Sequence, residues 1–139
     1  MEQDEEFQLR LAANRQALAG FSGLLKVDLT PFEAKIVDGL KNGQAQKFEY
    51  TAELTWKMIR RFLLLKDAVE ANSPKGAVKE FYLAGYVDEP DYEALAAMLD
   101  DRNRLSHIYK AAEFEEILSR LPVYVRLMEK CLHIMGLGT

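Results

Sequence analysis

Apolar residues recur along this chain at intervals of three and four, the spacing that puts side chains on one face of an α-helix, and no stretch alternates strictly as a half-buried strand would. The pattern predicts an all-α protein. Phe7, Leu11, Leu18, Phe21 and Leu25 mark a first helix over Glu5 to Leu25. Thr30-Pro31-Phe32-Glu33 has the form of a capping box with proline in the first turn, so a second helix is expected from Pro31. That helix meets Asn42-Gly43, where a bend and a true break are both open, and resumes through Gln46 to about Asn72. Ser73-Pro74 is another start signal, for a short helix that Gly85 should end. Asp88 to Asp91, with Pro90, opens a helix carrying Leu95, Met98, Leu99 and Leu105, and its pattern weakens near Tyr109. A last helix runs from about Ala111 to Met135, and Pro122 inside it should kink or divide it for want of an N–H. Short connections between helices suggest an up-and-down antiparallel bundle of four to five helices.

The stretch from Gln46 to Leu65 is too apolar for one buried face. Phe48, Ala52, Trp56, Ile59 and Leu63 form one stripe; Tyr50, Leu54, Met58 and Leu65 form another. Two stripes need two partners, either both within a central helix of the bundle or one on a second subunit, and a homodimer is expected on the latter ground. Glu49, Glu53 and Lys57 follow at four-residue steps, which suits ion pairing along a solvated face better than a catalytic carboxylate pair.

Composition narrows the picture further. With 139 residues, 49% of them apolar and 29% charged, the chain has the size of a single domain over 1–139 and is too apolar to stay disordered. A formal charge of -4 is too mild to imply or exclude a polyanion partner. The lone Cys131 can form no internal disulfide and no thiolate metal site, and the sequence suggests neither metal nor cofactor. The start, MEQDEEFQLR, is acidic where a secretory signal would be basic, and no apolar run has the ~18 to 20 residues of a membrane span. A cytoplasmic protein with no membrane association is expected.

Candidate chemistry concentrates in Asp101-Arg102-Asn103-Arg104-Leu105-Ser106-His107-Ile108-Tyr109. Arginine grips phosphate in a forked geometry, and histidine exchanges a proton near neutral pH. Together they suit phosphodiester cleavage, with His107 moving a proton at the attacking 2'-hydroxyl or the leaving oxygen and Arg102 stabilising phosphoryl charge. On a continuous helix, however, Arg102 and His107 lie about 140° apart, whereas Asn103 and His107 share a face. The Arg side chain must wrap round, or the helix loosen before His107, or two copies of the motif face each other. A solvated helix end carrying basic side chains would explain the same residues without catalysis. His133 has no acidic or metal-ligand neighbour at helical spacing and reads as structural or exposed.

The segments QKFEYTAELTWK and LDDRNRLSHIY, with SPKGAVKEFYLAGYV between them, resemble the HEPN superfamily, and most closely its branch of nucleotidyltransferase substrate-binding proteins, also described as HepT-like toxins. The likeness runs from about Gln46 to Val123. It implies a dimerising helical bundle in which Arg102, Asn103 and His107 serve a metal-independent ribonuclease, with RNA as substrate. Tyr109 falls where, in the toxin branch, a partner minimal nucleotidyltransferase attaches AMP. Ile108 and Lys110 depart from the small polar and acidic neighbours usual around that tyrosine. The resemblance equally admits a non-catalytic substrate-binding or docking subunit of a nucleotidyltransferase, a role the acidic charge favours, and, more blandly, a dimeric scaffold with a vestigial site.

Overall fold

In the computed structural model, which describes residues 2–108 and 110–138, five helices follow one another and no strand occurs among the described residues: α1 (Glu2–Leu25), α2 (Ala34–Asp67), α3 (Pro74–Leu83), α4 (Glu89–Leu105) and α5 (Ala111–Leu137). The expected all-α bundle is what forms. α2 is its axis, since α1, α3, α4 and α5 all pack on it, while α5 closes the bundle against α1 and α4. Among the described residues no helix is long and apolar enough to cross a membrane.

Both ends of α2 differ from the sequence expectation, each for a local reason. α2 begins at Ala34 rather than Pro31, because Thr30 is engaged elsewhere: its N–H and its hydroxyl both donate to Asp28 Oδ1, at 3.0 and 2.8 Å, in an Asx-type turn. The capping box does not form, and Glu33 at the cap position makes no side-chain cap bond. Gly43 lies within an unbroken α2, flanked by buried Gln44, Ala45 and Phe48, so tertiary burial carries the helix through it. α2 then stops at Asp67, short of Asn72, where Ala68 turns left-handed (φ 53°) and Val69 N–H returns to Leu63 O. Pro122 does not divide α5; it sits on the exposed side, where the carbonyl it leaves unpaired can meet water.

Other signals act as read. Ser73 accepts a hydrogen bond from Gly76 N–H at 2.9 Å and starts α3, and Asp88 does the same for α4 through Asp91 N–H. Gly85, at φ 87°, provides the left-handed step after α3, with Tyr86 N–H returning to Phe81 O.

The first apolar stripe of α2 is buried throughout: Phe48, Ala52, Ile59 and Leu63 have no exposed surface and Trp56 only 7%. Phe62 touches Phe7, Phe81 and Tyr86, joining α1 and α3 to the axis, while Phe48 stacks on Tyr124 of α5. The second stripe is divided. Met58 is buried, Leu54 and Leu65 are half-buried, and Tyr50 is exposed. Most of the second stripe is therefore satisfied within the chain.

Candidate functional site

α4 carries the motif, and its orientation is set by the residue before it. Asp101 is buried in contact with α5, where it accepts two hydrogen bonds from Arg120 (2.7 and 3.0 Å), one from Tyr124 Oη–H and one from Arg104 (3.3 Å). Burial pushes the Asp101 carboxyl up, but the hydrogen bonds from Arg120 and Tyr124 and the charges of Arg120 and Arg104 outweigh it, leaving a net shift below the ordinary 3.8. Burial and the adjoining carboxylate raise the Tyr124 phenol, which stays a neutral donor. The pattern of Leu95, Met98 and Leu99 facing inward continues one turn further with an anion, and the two cations and the phenol make its burial tolerable.

With α4 so fixed, Arg102 turns toward α2. Its Nη2 lies 2.8 Å from Glu53 Oε2, both side chains being about one-third exposed (31% and 29%). Glu53 is a hub: the same Oε2 accepts from Trp56 Nε1–H at 2.9 Å, and Oε1 meets Lys57 at 3.2 Å. Its partial burial pushes the carboxyl up, yet the bonds from Trp56 and Lys57 and the charges of Arg102 and Lys57 bring it below its ordinary value. The expected four-residue pairing of Glu53 with Lys57 is present, but reading that face as merely solvated missed Arg102. The i, i+3, i+4 spacing of Glu53, Trp56 and Lys57 was the available signal.

Arg102 and Asn103 line a cleft of about 230 Å³ with Trp56, Leu99, the α3 cap Ser73, and Pro74 and Lys75 of its first turn. Arg102 Nη1 reaches Asn103 Oδ1 at 3.5 Å, and its Nε–H is buried without an acceptor. Arg102 thus keeps one buried donor unused, on a permanent cation that lines the cleft beside the positive end of a helix. Lys75 in this cleft is paired with Asp100 at 2.6 Å.

His107 stands beyond the end of the helix that carries Arg102. α4 ends at Leu105, and Ser106 and His107 form a tight turn with N–H bonds to Asn103 O (3.2 Å) and Arg104 O (2.8 Å). The helix therefore loosens before His107, which is exposed and makes no side-chain hydrogen bond or ion pair among the described residues. Tyr109, the expected AMP acceptor, lies outside the described residues. Among the described residues no group of three or more His, Cys, Asp or Glu is placed to hold a metal ion. Cys131 is buried and its thiol is pushed up to about 12 by desolvation, which removes it as a nucleophile. His133 is exposed, as expected.

This helical bundle has counterparts among known proteins. Residues 9–136 match the family described as "Nucleotidyltransferase substrate binding protein like", and the chain belongs to that family. It is also similar to the crystal structure of ttk003001694 from Thermus thermophilus, at 30% identity and a TM-score of 0.78, over 88% of this chain and 98% of that one. No curated protein matches it.

The Asp101 cluster yields a pH prediction. A carboxyl whose folded pKa lies below its unfolded value adds stability that is present above about 3.8 and is lost as pH falls through the folded value. At pH 7 Asp101→Asn should therefore be less stable than the parent by about 2–3 kcal/mol, at the lower end for a buried pair because the Arg120 side chain keeps contact with water. Urea melts should show that gap narrowing as both proteins are acidified below about pH 3.8. A gap independent of pH would mean that the charge of Asp101 does not hold α4 to α5.

Proposed function

We propose that this chain is a single HEPN-like domain that works beside a minimal nucleotidyltransferase, and that Arg102, Asn103 and His107 form a toxin-type, metal-independent ribonuclease site completed when two copies of the chain pair. The observation that carries this reading is the division of the motif within one chain. Arg102 faces a cleft with a spare buried N–H, whereas His107 stands exposed in the turn beyond the helix, with no side-chain partner among the described residues. A two-fold pairing of the motif faces would set each His107 toward the other copy's cleft, since an isologous contact places the same surface on both sides. The family to which the chain belongs, by its description, links it to a nucleotidyltransferase.

In the reaction, His107 takes the proton of the ribose 2'-hydroxyl as that oxygen attacks phosphorus, or gives a proton to the departing 5'-oxygen. The new P–O bond closes a 2',3'-cyclic phosphate as the old one breaks. Arg102 holds the phosphoryl oxygens, on which charge accumulates, and Asn103 steadies Arg102.

A second reading is favoured by a specific contact. Arg102 is already neutralised by Glu53, so a phosphate must displace a carboxylate to reach it. With a formal charge of -4, that favours a non-catalytic substrate-binding or docking subunit of the nucleotidyltransferase.

The two readings separate in one experiment. Cleavage of RNA by the purified protein should vanish in His107→Ala with helical content unchanged, because an exposed side chain carries little packing energy. A parent protein without cleavage, contamination being controlled, leaves the binding subunit. Sedimentation should give a dimer at micromolar concentration, and a monomer there would remove the shared site.

Tyr109 would be the point of control. Its phenolic oxygen would attack the α-phosphorus of ATP within the partner nucleotidyltransferase, forming a phosphodiester to AMP and releasing pyrophosphate. The added phosphate would pair with Arg102 and close the cleft to RNA. Intact mass after incubation with ATP and the nucleotidyltransferase should rise by one AMP, and the rise should be absent in Tyr109→Phe. An increment that survives that substitution assigns the modification elsewhere.

A further inference from the structure

A second hollow lies apart from the Arg102 cleft and shares none of its lining residues. A groove of about 710 Å³ runs between α1, α2 and the segment 69–72, and Arg10, Asn14, Tyr50, Lys57, Arg60 and Arg61 are among the residues lining it. Lys57 stands at its border with the motif, since its other contact is Glu53.

The groove contains an unmet hydrogen-bonding demand. Asn14 is 92% buried, its relative exposure being 8%, although it lies in the middle of a helix face that is otherwise apolar. Its Nδ2 donates to Arg10 O at 2.8 Å and lies 3.8 Å from Met58 Sδ, while its Oδ1 is buried with no donor among the described residues. The amide cannot gain by flipping, because Oδ1 would then oppose the Arg10 carbonyl. Buried acceptors are as a rule paired, so this one is suited to an N–H brought by a ligand.

Around that acceptor stands a cationic rim. Arg10 and Arg61 share one oxygen of Glu6 at 2.9 and 3.4 Å, with all three side chains substantially exposed. Arg60 has no carboxylate partner among the described residues and rests over the Trp56 ring, 4.9 Å from its centroid. Glu70 is the only acidic residue of the lining among those described. Exposed ion pairs of this kind are weak and exchange readily for a more highly charged anion. The wall also offers flat apolar surface, for Tyr50 is 59% exposed and Leu64 51%.

A ligand that satisfies all of these features carries phosphate, a planar ring and an amino group. We infer that the α1–α2 groove binds a nucleoside polyphosphate with an amino-bearing base, its phosphates on Arg10, Lys57, Arg60 and Arg61, its base against Tyr50, and its exocyclic N–H on Asn14 Oδ1. The volume is within the range of small-molecule sites. A second copy of the chain fits poorly, since a two-fold contact would press this cationic rim against itself. The inference does not depend on ribonuclease activity or on the nucleotidyltransferase.

Calorimetry at low salt on the whole chain tests it, with ATP, purine riboside triphosphate (which lacks the amino group) and inorganic tripolyphosphate as probes. ATP should bind most tightly, and the other two at least about tenfold more weakly, the loss expected for one buried hydrogen bond. Asn14→Leu, which removes the orphan acceptor without adding a buried polar group, should erase ATP's advantage over purine riboside triphosphate while keeping the helical content. Arg60→Glu with Arg61→Glu should abolish binding of all three. His107→Ala should bind ATP as the parent does, so a failed ribonuclease reading and a failed groove are told apart. Absence of ATP binding, equal binding of all three probes, or ATP binding untouched by the Asn14 and arginine variants would overturn the proposal. Loss of the dimer in the arginine variants, or tighter binding of an acidic peptide than of ATP, would equally overturn it by assigning the groove to protein contact.

Discussion

The buried carboxylate of Asp101 is the interaction on which the site depends. It ties α4 to α5 through Arg120 and Tyr124, and the Tyr124 ring in turn stacks on Phe48 of α2 at 5.5 Å between centroids. Three helices thus converge on one hydrogen-bonded anion. A hydrophobic residue at this position would bury as well, but it would leave the rotation of α4 weakly specified; a carboxylate with several directional donors fixes it. Because the next residue is Arg102, fixing that rotation also aims the guanidinium at α2 rather than at solvent.

Glu53 completes the arrangement from the other side. One carboxylate receives an indole N–H, a guanidinium and an ammonium, so Trp56, Arg102 and Lys57 are held in one network at the surface of α2. The network is about one-third exposed, which keeps its contribution to stability small while still positioning charge. Its two cations belong to different hollows, since Arg102 lines the cleft and Lys57 the α1–α2 groove.

The burial of the central helix follows from the same economy of faces. The second apolar stripe of α2 is largely consumed by α1 and by its own bundle, with Met58 buried beneath Asn14 and only Tyr50 standing clear. What remains exposed on that side is a mixture of arginine, lysine and isolated apolar groups, a surface better matched to a charged amphipathic ligand than to a packed hydrophobic interface.

Helix number, order and most of the core were legible in the sequence, because a 3.6-residue period and local start and stop signals such as Ser73-Pro74 and Gly85 are written in neighbouring residues. The capping box at Thr30 was misleading for the same reason: Asp28, two residues earlier, offered the hydroxyl a competing local bond. The segment holding Arg102, Asn103 and His107 was legible as a candidate site, as was its poor fit to one helical face. Their surroundings were not. Asp100 and Asp101 are identical in type and adjacent, yet one pairs with Lys75 in solvent and the other is the buried anchor of α4. Glu53 reads as one member of a charged ladder, and nothing nearby in sequence announces Arg102 as its partner. Periodicity fixes which residues share a helix face, but which faces meet, and at what rotation, is decided only when distant helices pack, and that decision placed Glu53 on Arg102 and left Asn14 with a buried oxygen that has no donor among the described residues.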